Sequence, residues 1–377
     1  MRNSGRDRIL QTAIELFGDE GIDDVSISQI TRNARVSNST FYKYFDGKSS
    51  LIDEVFKLGV ERLDEGLRVM GFTLESRLTR LMEDYVFFVK ENTQICKVLH
   101  EAEFTFYSVP KRVKDLLMRK TEEAGLKPTD ELFWFLWGPV RFLTMWSFFW
   151  KEKTSDSVYV ELMNFIRRGI DPNDHVLNKR VFDTVAIDME MDFDTTRSRI
   201  LASAEKLFSE RGFRKTQISD ITREAGVGLG TYYLYFETKF DVLRELVKRI
   251  NSALRFHIKK VLRNFEDRRD AEIAGYHAFL RFFEVHRGVY RIVREAEFVF
   301  PESATDYYRR IHDSYLPPLK KAMEENQFLE YDPSSLALFL MGIGHFMGED
   351  LLLVNRRRDF RKALEKLSVF LFKGLGG

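Results

Sequence analysis

Apolar residues recur at intervals of three and four almost from the beginning of the chain: Ile9, Leu10, Ala13, Ile14, Leu16 and Phe17, then Ile27, Ile30 and Ala34. That spacing gathers them on one face of a helix, so the pattern predicts amphipathic helices and not strands, whose side chains would alternate. Gly21 follows the first run, where a helix-terminating residue belongs, and Ser26 followed by Gln29 reads as a capping box for the second helix. A third, short helix is predicted through Thr40 to Phe45, and a fourth from Lys48 with Gly47 in the cap position. Further amphipathic helices are predicted at roughly Leu74 to Glu91, Thr93 to Phe106, Lys111 to Ala124, Pro128 to Trp150 and Ser157 to Arg168. No strand-like alternation interrupts them, and the predicted fold class is all-α.

The same pattern is then written a second time. Arg8 to Lys48 returns as Arg199 to Lys239 at a constant offset of 191 residues without a gap. Downstream, Glu101-Ala102-Glu103-Phe104 reappears as Glu295-Ala296-Glu297-Phe298, Phe135-Leu136-x-Gly138 as Phe339-Leu340-x-Gly342, and Phe165 to Gly169 as Phe370 to Gly374. Repetition at this length is a domain duplication and not a solenoid, whose units run to about 20 to 50 residues. In a chain of 377 residues each copy is large enough to bury a core of its own. The predicted organisation is a three-helix head at 1–47, a larger helical domain at 48–170, a linker at 171–194, a second head at 195–238 and a second helical domain at 239–377. The linker opens with a Pro, ends acidic and lacks sustained periodicity. About 24 residues reach some 80 Å when extended, enough to join two copies packed side by side.

The most specific local signal is the third helix and its approach. The first copy reads Thr31-Arg32-Asn33-Ala34-Arg35-Val36-Ser37-Asn38-Ser39-Thr40-Phe41-Tyr42-Lys43-Tyr44-Phe45, then Lys48. The second reads Thr222-Arg223-Glu224-Ala225-Gly226-Val227-Gly228-Leu229-Gly230-Thr231-Tyr232-Tyr233-Leu234-Tyr235-Phe236, then Lys239. Helix, tight turn, short helix is the spacing of a helix-turn-helix, whose second helix enters the major groove by its N-terminal end. Hydroxyls on Thr40, Tyr42 and Tyr44, and on their mates Thr231, Tyr233 and Tyr235, suit donation to phosphate oxygens. Lys48 and Lys239 stand at a helix N-terminus, where the dipole also favours an anion. Ser26, at the cap of the second helix, is counted with these DNA-facing residues. Base reading falls to Ser37, Asn38, Ser39 and Lys43. The second copy has Gly228, Leu229, Gly230 and Leu234 there, with little to hydrogen-bond and mainly apolar contact to offer a thymine methyl. Phe45 and Phe236 read as core.

The pattern Val-Ser-x-x-Thr-x-Tyr-x-Tyr-Phe-x-x-Lys, after an Ile-Thr-Arg-x-Ala helix and a helix ending in Leu-Phe-x-x-x-Gly, resembles the DNA-binding domain of the TetR/AcrR family of one-component transcriptional regulators. It occurs twice, with Gly228 in the Ser position of the second copy, so the chain looks like two family protomers fused in tandem. The resemblance implies three N-terminal helices that bind double-stranded DNA and a larger helical domain that binds a small molecule and dimerises. It further implies a ligand-responsive repressor whose copies pack as an intramolecular pseudo-dimer; a dimer of chains stays open. Because the reading helices differ, the expected operator has two unlike half-sites about one helical turn or somewhat more apart. Two departures from the family pattern distinguish the heads. Arg35 replaces the turn glycine that the second copy keeps as Gly226, and Gln217 replaces a hydroxyl residue at the second-helix cap.

Composition adds little that conflicts. Aromatics make up 14% of the chain, with 34 Phe and only 8 Pro, as expected of a core-rich helical protein and not of a disordered one. The net charge of +1 argues against indiscriminate coating of nucleic acid, yet cations outnumber acids between Arg197 and Arg249 while the first copy is nearly balanced. The single cysteine, Cys96, excludes an intramolecular disulfide and favours a reducing cytoplasm. Met1 to Gly5 shows no apolar signal core, so a cytoplasmic location is expected. Leu132 to Trp150 is apolar over a length that could span a bilayer, but Arg141 sits at its centre. A central Arg costs about 2.5 to 3.5 kcal/mol on insertion scales. The repeat-mate Leu336 to Val354 carries His345, Glu349 and Asp350, so both stretches are expected as buried helices and no membrane partner is expected.

Candidate effector residues are the carboxylates and aromatics of the repeated Glu-Ala-Glu-Phe segment and the apolar helix. Glu101, Phe104, Glu295 and Phe298, with Trp137, Arg141 and His345, either line a pocket for an apolar or aromatic small molecule or serve packing and pairing, for instance with Arg291 or Arg294. Gly226-x-Gly228-x-Gly230 follows a helix and lacks the third glycine of a dinucleotide loop. No G-x-S-x-G, P-loop, H-E-x-x-H or Cys/His cluster occurs, so neither enzyme activity, cofactor nor metal is expected. Two rival readings remain: an interaction module whose second head has lost sequence reading, and a helical protein that only sequesters a ligand.

Overall fold

The computed structural model describes residues 4–105, 109–184, 194–354 and 359–376, and no strand occurs among them. The first copy supplies α1 (Gly5–Glu20), α2 (Ile27–Asn33), α3 (Asn38–Tyr42), α4 (Lys48–Gly66), α5 (Leu74–Glu91), α6 (Thr93–Thr105), α7 (Val109–Glu123), α8 (Asp130–Thr144) and α9 (Val158–Arg168). The second supplies α10 (Thr196–Arg211), α11 (Ile218–Ala225), α12 (Leu229–Tyr233), α13 (Lys239–Leu262), α14 (Arg268–Val285), α15 (Arg287–Val299), α16 (Pro301–Glu324), α17 (Pro333–Gly348) and α18 (Phe360–Lys373).

Three boundaries differ from the sequence expectation. α3 begins at Asn38, because Ser37 caps it by accepting the Thr40 N–H at 3.1 Å, and it ends at Tyr42 instead of running to Phe45. The stretch expected as one helix to Trp150 leaves α-geometry after Thr144 and continues as a π-helical turn over Met145–Phe149; α17 likewise gives way to a π-helical turn over Glu349–Val354. The segment expected as a linker without sustained periodicity is anchored along its first half. Asp171 pairs with Arg269 at 2.6 Å, His175 and the Asn178 N–H both meet Asp270, and a 3-10 turn covers Lys179–Phe182. The rest of the linker expectation, 185–193, lies outside the described residues, as does Phe106.

Both apolar stretches are largely buried. Leu132 to Trp146 is shielded throughout. Pro333–Val354 has the length and mean hydropathy to cross a membrane, at 22 residues and 1.5, yet 83% of that window is buried inside the protein.

The chain divides into two compact units, Met1–Phe133 with Leu143–Lys153, and Trp134–Phe142 with Thr154–Gly377. In the first unit α1 packs closely on α6: a Cβ on Gly18 would meet the Gln94 carbonyl at 2.8 Å. In the second, α10 packs on α15 the same way, but there Ser209 faces Gly288. The repeat register makes Ser209 the mate of Gly18 and Gly288 the mate of Gln94. The same close crossing is thus kept with the glycine moved to the opposite helix.

The second unit also contains helices from both sequence copies, and their contacts are reciprocal. The middle of α8 crosses α17 where Gly138 meets Gly342, a Cβ on Gly138 falling 2.9 Å from the Gly342 carbonyl. Phe135 lies 6.0 Å from Phe370 and Phe339 lies 5.4 Å from Phe165, which are the same pair with the copies exchanged. At the ends of α9 and α18, Ile170 donates to the Leu371 carbonyl and Leu375 to that of Ile166, each at 2.9 Å. Asp171 N–H to Phe372 and Gly376 N–H to Arg167 repeat the exchange at 3.0 and 2.9 Å.

Candidate nucleic-acid interface

Each head is built on the same buried positions. Ile9, Phe17, Ile22, Ile30, Ala34, Phe41 and Phe45 fill the first, and Ile200, Phe208, Phe213, Ile221, Ala225, Tyr232 and Phe236 the second. Burial of these side chains holds two helices and a tight turn in place in both copies. The turn closes through Val36 N–H to the Thr31 carbonyl and Val227 N–H to that of Thr222, both at 3.0 Å, the bond that accompanies a left-handed residue after a helix. That residue is Gly226, with φ +65°, in the second head and Arg35, with φ +53°, in the first. A non-glycine residue there costs about 1 to 2 kcal/mol. The first head carries this strain and the second does not.

Most of the sequence-predicted contact residues are exposed in each head. Ser37, Asn38, Ser39, Tyr42, Lys43 and Tyr44 are exposed, with Thr40 partly so; Ser26 is exposed at the cap of α2, where its hydroxyl accepts the Gln29 N–H. Tyr42 and Tyr233 show 58% and 51% of their surface, while the ring one position earlier, Phe41 or Tyr232, is fully buried. The exposed tyrosines therefore do not close the core. In the first head the polar side chains already form a local set: Asn38 accepts from the Thr31 hydroxyl at 2.7 Å, and Ser37 sits within 2.7 and 2.8 Å of the Ser39 and Thr40 hydroxyls. In the second, Gly228 caps α12 with no side-chain bond, and Leu229, Gly230 and Leu234 face solvent beside Thr231, Tyr233 and Tyr235.

The two lysines expected at the phosphates also make bonds within their own heads. Lys48 Nζ donates to the Asp23 carbonyl at 3.0 Å, and Lys239 Nζ to those of Phe213 and Thr216 at 2.7 and 2.8 Å. Each ammonium thus staples the loop that follows the first helix of its head.

The same loop is held from the other side by one of the carboxylates for which pocket lining and structural pairing were the two alternatives. Glu101 accepts the Ile22 N–H at 2.9 Å, and Glu295 accepts the Phe213 N–H at 2.9 Å. These contacts are repeat-mates, and they explain acidic residues in an apolar stretch without invoking a ligand. Glu101→Ala leaves the buried Ile22 N–H without that acceptor, so a loss of about 1 to 3 kcal/mol is expected. Glu101→Gln, which keeps a carbonyl acceptor, should recover most of it in urea unfolding. Equal midpoints for the Ala variant and the parent would remove the contact from the account of stability.

Of the remaining effector candidates, Phe104 is half-buried in the first unit, and Trp137, Arg141, Phe298 and His345 belong to the second. Arg141 stacks over the Phe346 ring at 4.0 Å. His345 lies in a buried polar cluster that sequence reasoning only partly found. Arg294, fully buried, pairs with Glu297 at 3.0 Å and Glu349 at 3.1 Å and lies against the His345 ring; Tyr308 donates to Glu297 at 2.5 Å. Burial alone would lower the guanidinium pKa, but Glu297 and Glu349 outweigh it and hold Arg294 charged. The pairing of Glu297 with Arg294 is the structural alternative anticipated for these carboxylates. The legible signal was the charge pattern of the π-helical turn, Glu349 and Asp350 following an apolar helix; Tyr308 carried none.

Against known proteins, the family model for bacterial regulatory proteins of the tetR family matches this chain twice, at residues 9–55 and 200–246. The uncharacterized HTH-type transcriptional regulator YdgC of Bacillus subtilis (strain 168) is 25% identical over 186 residues, spanning 47% of this chain and 91% of that protein. The HTH-type transcriptional activator FasR of Mycolicibacterium smegmatis is 27% identical over 106 residues, 28% of this chain and 48% of FasR. Among solved structures, a TetR-family regulator from Syntrophomonas wolfei aligns at 20% identity with a TM-score of 0.42, covering 47% of this chain and 92% of that one. The matched segments coincide with the two helix-turn-helix heads built above, and the chain is a helix-turn-helix transcriptional regulator of the tetR family that carries two family units in tandem.

Proposed function

We propose that this chain is a ligand-responsive repressor that acts as an intramolecular pseudo-dimer on an operator with two unlike half-sites. In this reading the heads at 1–47 and 195–238 contact DNA, and the helical domains at 48–170 and 239–377, joined by 171–194, pair the copies and take up an apolar or aromatic effector. The observation that carries it is the reciprocal bonding of α9 with α18 and of α8 with α17, since exchange of residues between partners is what a two-fold interface requires. Thr40, Tyr42, Tyr44, Thr231, Tyr233 and Tyr235 would position the heads on phosphates. Ser37, Asn38, Ser39 and Lys43 would read bases for the first head only. An effector that favours wrongly spaced heads lowers DNA affinity by its differential affinity for that state.

Selection of bound sequences from a random duplex library at near-physiological salt tests this. An asymmetric bipartite site is the expected product. A palindrome would overturn the pseudo-dimer and favour chains pairing through like copies. A single half-site would favour the rival in which the second head has lost sequence reading, a rival that its Gly228-Leu229-Gly230 surface keeps in view.

A further inference from the structure

We propose that the second head recognises its half-site through the C5-methyl groups of thymine, with Leu229 and Leu234 as the reading side chains. This rests on the DNA-reading function proposed above and names what that head reads. Leu229 is 52% exposed and Leu234 82% exposed, one at the start of α12 and the other just past its end. Their mates in the first head are the polar Asn38 and Lys43.

The glycines around Leu229 point outward for their explanation. Gly226 is required by its turn, with φ +65°. Gly228 has an ordinary φ of −73°, and a Cβ there would meet only the Thr231 hydroxyl at 3.8 Å; a Cβ on Gly230 would meet nothing within 4 Å. Alanine would serve the fold better at Gly230, and serine would cap the helix at Gly228 as Ser37 does in the first head. The missing side chains leave a bare approach on which Leu229 can come close to a base edge.

What covers this surface follows from its surroundings. The hydroxyls of Thr231, Tyr233 and Tyr235 flank it, and between Arg197 and Arg249 eleven cations stand against seven acids. A head with that excess of cations and an exposed apolar pair beside hydroxyls suits a polyanionic duplex. On the base-pair edges of the major groove the apolar group is the thymine methyl. A leucine covering it gains from apolar burial while leaving all hydrogen-bonding groups to water or to the backbone.

The test starts from the selected duplex. Asn38→Ala/Lys43→Ala identifies the first half-site by loss of protection there, which assigns the other half to the second head. Thymines of that half are then replaced by deoxyuridine, which removes each methyl and keeps every hydrogen-bonding group. The expected loss is about four-fold in affinity for each covered methyl. Leu229→Ala/Leu234→Ala, both exposed and harmless to the core, should weaken binding to the thymine duplex and abolish its difference from the deoxyuridine duplex. Equal affinity of the parent protein for both duplexes overturns the inference alone, as does a double variant that still discriminates them. If no duplex is enriched at all, the proposed DNA reading falls, and this inference falls with it.

Discussion

Gly374→Ala is expected to destabilise the second unit by about 2 to 5 kcal/mol, the sum of a backbone term and an overpacking term. Gly374 holds φ +62° and ψ −152°, a region open essentially to glycine. A Cβ there would also lie 2.5 Å from the Arg167 carbonyl, which is backbone and cannot rotate away. Gly169, its repeat-mate, has φ +65° and ψ −151° and would drive a Cβ into the Phe372 carbonyl, so Gly169→Ala should cost a comparable amount. Both sites sit inside the reciprocal bonds that tie α9 to α18, so faster hydrogen exchange should appear at Ile170 and Leu375 in either variant. Gly230→Ala is the contrast: with open space around it and ordinary backbone, it should leave the urea midpoint unchanged or raise it slightly. A Gly374→Ala protein that unfolds with its parent would show that these cap bonds do not hold the unit together.

Arg294→Met should be the most damaging single change in the second helical domain, at about 3 to 5 kcal/mol. The loss does not come from the ion pair as a bond, because taking three charges out of water is itself costly. It comes from leaving Glu297 and Glu349 buried without this cation. Replacing the whole set, Arg294→Met with Glu297→Gln and Glu349→Gln, should therefore recover much of the loss. If the triple variant is as unstable as the single one, packing and not charge explains Arg294. The pattern of repeat-mates adds a reason to look here. In the register of the Glu-Ala-Glu segment Arg294 is the mate of His100, and in the register of the apolar helix His345 is the mate of Arg141. Arginine and histidine have changed places between the copies, so the two helical domains are not chemical equivalents.

The head was legible in the sequence because its information is local. A helix spacing of three and four, a cap at Ser26 and a turn position marked by glycine in one copy are all written within about 40 residues. The exposed Tyr42 and Tyr44 lie between Phe41 and Phe45, which are buried. The anchoring of the linker was not legible for the opposite reason. His175 and Asp171 gain their partners from Asp270 and Arg269, nearly 100 residues on, and no periodicity announces an ion pair of that kind.

By itself, then, the sequence determined the class of fold, the duplication and the existence of a short third helix in each head, because helix periodicity and a repeat at fixed offset are properties of order along the chain. Only the tertiary structure decided where polar side chains spend their bonds. Glu101 and Glu295 hold backbone amides of the heads and Lys48 and Lys239 hold carbonyls of the same loops, bonds that no local pattern specifies. It also decided that Gly169 and Gly374 face one another. The physical reason is common to both: a buried polar group or a close backbone approach is satisfied by whatever the fold brings within about 3 Å, and that neighbour is chosen by packing, not by distance along the chain.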